Sequence, residues 1–80
     1  MTTIFVMVKC ELGQIYEVAS QAMDRVENVS EIHSISGEYD LLVKCVVPEG
    51  QDIGRFVTEE IQTLAGIRST FTLISFKAFG

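Results

Sequence analysis

Two short runs in the chain combine residue types that could hold small charged groups. The first is Ser36-Gly37-Glu38-Tyr39-Asp40-Leu41, which sets two carboxylates beside an aromatic ring in a turn-forming stretch. Gly37 permits a positive φ. The two carboxylates there would suit a small cation such as an α-ammonium group. The same residue types also build ordinary solvated turns. The second run is Ser69-Thr70-Phe71-Thr72. Thr70 and Thr72 share one face of a strand, so two hydroxyls could donate side by side to a carboxylate, with Arg68 nearby. Threonine is equally a common strand former. His33 is the only histidine, with Glu31 and Ile35 at same-face spacing. Alone it offers no ligand set for a metal and reads as a packed or surface residue. Cys10 and Cys45 have no CxxC spacing and read as small core residues. No phosphate-binding glycine loop or nucleophile elbow is present, and the spacing of Ser, His and Asp singles out no triad.

The elements that must position these residues are legible from periodicity. Thr3 to Cys10 alternates like a strand. Ile15, Val18, Ala19, Ala22, Met23 and Val26 recur at helical spacing. Val29 to Ser36 and Leu41 to Val47 read as strands, joined by the Gly37 turn, and Pro48-Glu49-Gly50 reads as a further turn. Asp52 is placed to cap a second helix with Ile53, Phe56, Val57, Ile61 and Leu64 on one face, and Gly66 to end it. Ile67 to Phe79 reads as a long last strand. The two halves resemble each other. Val8-Lys9-Cys10 returns as Val43-Lys44-Cys45, and a shift of 38 residues superimposes the two apolar helix faces except at Ala22, which lands on Glu60. The expectation is an α+β, ferredoxin-like βαββαβ sandwich: one antiparallel four-stranded sheet with both helices on one face.

Composition bounds the function. Eighty residues make one domain, spanning 1–80, and a chain that short buries a thin core. A net charge of −5 with six scattered basic residues lacks the footprint of a nucleic-acid binder. Two cysteines build no disulfide framework, and no targeting segment or apolar span stands out, which points to the cytosol and away from membranes. The strands are apolar on both faces: Phe5 and Met7 oppose Ile4, Val6 and Val8, and Leu42 and Val46 oppose Leu41, Val43 and Cys45. Two helices cover only one face, so the other is expected to pack against a second copy.

With those motifs and their order in hand, the chain resembles the effector-binding domain of the Lrp/AsnC family, also called the RAM domain. The resemblance rests on Val29 through Leu42, containing Ser36-Gly37-Glu38-Tyr39-Asp40, and on Gly66-Ile67 followed by Thr70-x-Thr72. It implies a homodimer formed through the sheet, dimers gathered into rings (commonly four dimers, an octamer), and amino-acid effectors bound in clefts between dimers. Gly37, Glu38, Tyr39, Asp40 and Leu41 would line one side of the cleft, and Thr70 and Thr72 of a neighbouring dimer the other. It implies no cofactor and no enzymatic activity. Family regulators carry a helix-turn-helix domain ahead of this one, whereas here the pattern begins at Met1. The expectation is therefore a stand-alone version that does not bind DNA itself and acts by co-assembly with full-length regulators. Two alternatives have different signatures. An ACT-like regulatory module would bind its amino acid at the turn after the first strand, near Gly13. A small cofactor-free dimeric enzyme would need a polar pocket between sheet and helices, with His33, Tyr39 or Asp40 as acid or base.

Overall fold

The computed structural model describes residues 1–80. The elements are β1 (Thr2–Cys10), α1 (Ile15–Arg25), β2 (Val29–Ser34), β3 (Leu41–Val47), α2 (Ile53–Phe56) running straight into a π-helical segment (Val57–Ile61), and β4 (Ile67–Ile74). The four strands form one antiparallel sheet in the order β2-β3-β1-β4. This is the expected ferredoxin-like arrangement. Ile4, Val6, Val8 and Cys10 of β1 and Leu41, Val43, Cys45 and Val47 of β3 point into the core. Val18, Ala22, Val26, Phe56, Val57, Ile61 and Leu64 cover them from the helical layer, and no polar or charged residue is buried. No helix is long and apolar enough to cross a membrane.

The other face of the sheet is open and apolar. Met7 pairs across to Phe71 and Leu42, and Phe5 to Leu73. Phe71 and Leu73 remain 52% and 45% exposed. Along its β2 margin the face turns polar. Glu31 bridges Lys44 at 3.2 Å and lies 3.5 Å from His33 Nε2. The Lys44 hydrogen bond is the main reason the Glu31 carboxyl sits below its ordinary range.

Four expectations are corrected. β2 stops at Ser34 rather than Ser36, because the chain bends toward Gly37 at φ +107°. β4 stops at Ile74 rather than Phe79, because β1 is its only neighbour and the last rung is Ser75 N–H to Thr3 O. Met23 is not core: α1 buries the row Val18, Ala22, Val26, and Met23 is 55% exposed on the flank beside β2. The second helix is not uniform. Gln62 N–H reaches back five residues to Val57 O, and Leu64 N–H then reaches only three to Ile61 O. The wide turn takes in one extra residue and the tight turn returns it. Ala22 therefore corresponds in space to buried Ile61, not to Glu60, while the match is restored at Val26 and Leu64. The break in the repeat is a local one-residue shift of register, opened by the π-turn and closed by the tight turn after it.

Candidate functional site

The turn between β2 and β3 is built around Asp40. Ile35 N–H donates to Asp40 O and Asp40 N–H to Val8 O, both at 2.9 Å. Val8 and Cys10 lie two apart on β1, so their backbone groups face the same neighbour, β3. That strand pairs no further than Leu41 opposite Val8, and Cys10 N–H would be left without a rung. Asp40 Oδ2 supplies it, accepting from Cys10 N–H at 2.8 Å. On the β4 side the same step of β1 is a bulge: Lys9 opposes Ser69 but Cys10 opposes Ile67. One oxygen of the carboxylate expected to meet an ammonium group is thus engaged in closing the sheet.

The rest of the turn folds over the open face. Lys9 Nζ donates to Glu38 O at 2.9 Å. The Tyr39 and Phe71 rings lie 6.2 Å apart with a 33° tilt, on the open-face side. Gly37 and Glu38 are exposed. Leu41 is 2% exposed, so its side chain belongs to the core and only its backbone borders the turn.

Thr70 and Thr72 face the opposite way. They pair with Val8 and Val6, whose side chains point to the helices. Thr70 Oγ1 accepts a hydrogen bond from Gln62 Nε2 at 2.8 Å. Both threonines line a groove of about 410 Å³ between β4 and the second helical region, with Ile53, Val57 and Ile74 as apolar walls. Within one subunit the sheet stands between the Tyr39 ring and the two hydroxyls. Gln62 was not a sequence candidate. A glutamine on a helix carries no signal, and the only hint of its placement was the mismatch at Glu60.

Cys10 and Cys45 are unpaired and buried, and burial pushes the Cys45 thiol up to about 11. Cys10 is raised by burial and secondarily by the Asp40 charge. His33 is exposed on the open face, away from any enclosed pocket.

Residues 3–79 match the family model described as the Lrp/AsnC ligand binding domain. The chain belongs to the Lrp/AsnC ligand-binding domain family. An uncharacterised HTH-type transcriptional regulator of Pyrococcus horikoshii is 30% identical to it over 77 residues, 94% of this chain and 51% of that protein. The chain spans about half the length of the curated regulators it matches. A hypothetical protein of P. horikoshii, solved by crystallography, superposes with a TM-score of 0.84 at 31% identity, covering 98% of this chain and 93% of that one. A Neisseria meningitidis transcriptional regulator in complex with L-Met shares the fold of this Lrp/AsnC domain at 15% identity, with a TM-score of 0.84 over 99% of this chain and 52% of that one. A stretch making up 15% of a Saccharolobus islandicus homocitrate synthase is 29% identical over 72 residues, 90% of this chain.

Proposed function

We propose that this Lrp/AsnC domain is an effector-sensing module: it binds an amino acid or a related small metabolite in a cleft completed by a second copy of the chain. The observation that carries this is the placement of the two polar motifs. The Gly37–Asp40 turn lies toward the open sheet face, and Thr70 and Thr72 lie on the helix face. A small molecule spanning both must bridge two subunits. The apolar open face, with Phe5, Met7, Leu42, Phe71 and Leu73, supports a sheet-to-sheet dimer, and dimers then meet at the turn and β4 ends. Hydroxyls that donate to a carboxylate on one side, and Glu38 with backbone carbonyls on the other, suit the two ends of an α-amino acid. The family match and the methionine complex of the Neisseria regulator support the same chemistry. Such a ligand shifts assembly only by binding one state better than another. Mixed assembly with full-length regulators is the route by which the domain would reach DNA.

A thermal-shift panel of the twenty L-amino acids at millimolar concentration tests this. A ligand at ten times its Kd adds about 1.4 kcal/mol, which is several degrees for a domain of this size. A shift for a few amino acids, lost in Thr72→Val, is the expected result. Flat melting curves across all twenty would overturn the amino-acid assignment. The homocitrate synthase match favours a second reading, a module regulating an enzyme. Co-purification with a biosynthetic enzyme instead of a DNA-binding regulator would select it.

A further inference from the structure

The fold builds the same groove twice. The first, of about 420 Å³, lies between α1 and β2 and is lined by Ile15, Tyr16, Ala19, Met23, Ile32 and Ser34. The second, of about 410 Å³, is lined by Ile53, Gly54, Val57, Gln62, Thr70 and Thr72. The 38-residue repeat relates five of these pairs: Ile15 to Ile53, Tyr16 to Gly54, Ala19 to Val57, Ile32 to Thr70 and Ser34 to Thr72. The π-turn locally advances the register by one and sets Met23 against Gln62. One molecule therefore contains its own control. Packing a helix on an outer strand is satisfied in the first half by Met23 and Ile32. In the second half the same positions carry a carboxamide and a hydroxyl, and the bulk of Tyr16 is reduced to Gly54. Folding alone does not ask for that exchange.

We infer that Gln62 is a ligand-positioning residue of the second groove, holding the Thr70 hydroxyl so that it donates to the carboxylate of an aliphatic α-amino acid. This rests on the effector reading above and assigns it a further residue. Thr70 Oγ1 accepts from Gln62 Nε2 at 2.8 Å. A hydroxyl that accepts there keeps its own proton for another acceptor. Thr72 presents a second hydroxyl on the same face. Ile53, Val57 and Ile74 give the walls to which an aliphatic side chain is suited. The volume lies within the range of small-molecule sites, about 300–1,000 Å³. β4 is an outer strand, so the groove opens outward, where another subunit's turn can close it. The π-turn is the device that brings Gln62 to the strand.

The test is calorimetric titration of the 80-residue chain with L-leucine, L-isoleucine and L-methionine at millimolar concentration. Gln62→Leu removes the donor at nearly constant volume and should weaken binding about tenfold, the loss of one hydrogen bond to a charged ligand's anchor. Thr70→Val should weaken it at least as much. The double variant should lose no more than Thr70→Val alone, because Gln62 acts through Thr70; independent structural damage would add instead. Met23→Leu, in the twin groove, should bind as the unmodified chain does. If Thr70→Val loses binding while Gln62→Leu keeps it, or if the two losses add, the Gln62 inference falls and the effector reading stands. If neither substitution matters, or if none of the three amino acids binds the unmodified chain, the Gln62 inference falls, whereas the effector reading falls only if all twenty amino acids are silent in the thermal-shift panel.

Discussion

At the scale of single residues, Asp40 is a backbone partner before it is anything else. Asp40→Ala strands the Cys10 amide, and a part-buried N–H without a partner costs about 1–3 kcal/mol. Its melting temperature should drop by several degrees, and Asp40→Asn, which keeps an acceptor oxygen, should recover most of the loss. For this reason Thr72→Val is a cleaner probe of the site than Asp40→Ala. The buried thiols give a pH dependence of known sign. Cys45 is raised from 9.0 to about 11 by burial. A group raised in the folded state leaves stability intact below its unfolded value and erodes it as pH climbs through the folded one. Urea midpoints should hold from pH 7 to 9 and fall between pH 9 and 11, less so in Cys45→Val. The polar turn and the threonine pair were both legible in the sequence, since each is a local motif. The engagement of Asp40 with Cys10 was not, because it depends on where β3 stops pairing, thirty residues away.

At the scale of elements, β3 could be read to the residue, since its alternation matches a strand paired on both sides. β4 was overrun because Phe76 and Phe79 favour strands, but β-propensity cannot supply a missing neighbour. The helical repeat was visible, and the π-turn showed only as one misfit. Asp52 caps α2 as its type suggests, accepting from Arg55 N–H at 3.0 Å, and Asp52→Ala should cost about 1 kcal/mol in chemical denaturation. Two glycines with positive φ separate two kinds of penalty. At Gly37 an added Cβ meets nothing within 4 Å, so alanine there pays only for the backbone. At Gly66 it would sit 3.0 Å from Val18 Cγ2 and 3.1 Å from Gln14 Cβ, pressing α1 away from the start of β4. Gly66→Ala should lose roughly 2 kcal/mol or more, and Gly37→Ala nearer 1. Equal losses in a denaturation series would contradict the packing argument.

For the whole molecule, the governing fact is a thin sandwich with one covered and one uncovered sheet face. Leu42 sits centrally on the uncovered face, opposite both Met7 and His33. Leu42→Asp should give a folded monomer by light scattering, and the unmodified chain should give a dimer or larger species. Met23→Asp, on the far flank of α1, should leave the mass unchanged. In the proposed cleft, the placement of the turn and the threonine pair on opposite sides of the sheet would also couple dose to abundance. When the residues that grip a ligand belong to different copies, dilution removes the site along with the assembly. Apparent affinity then rises with protein concentration, by the same linkage that lets ligand promote association. A few copies per cell would be nearly blind to a metabolite level that many copies would register, so expression level would set the threshold of the proposed response as much as any pocket residue.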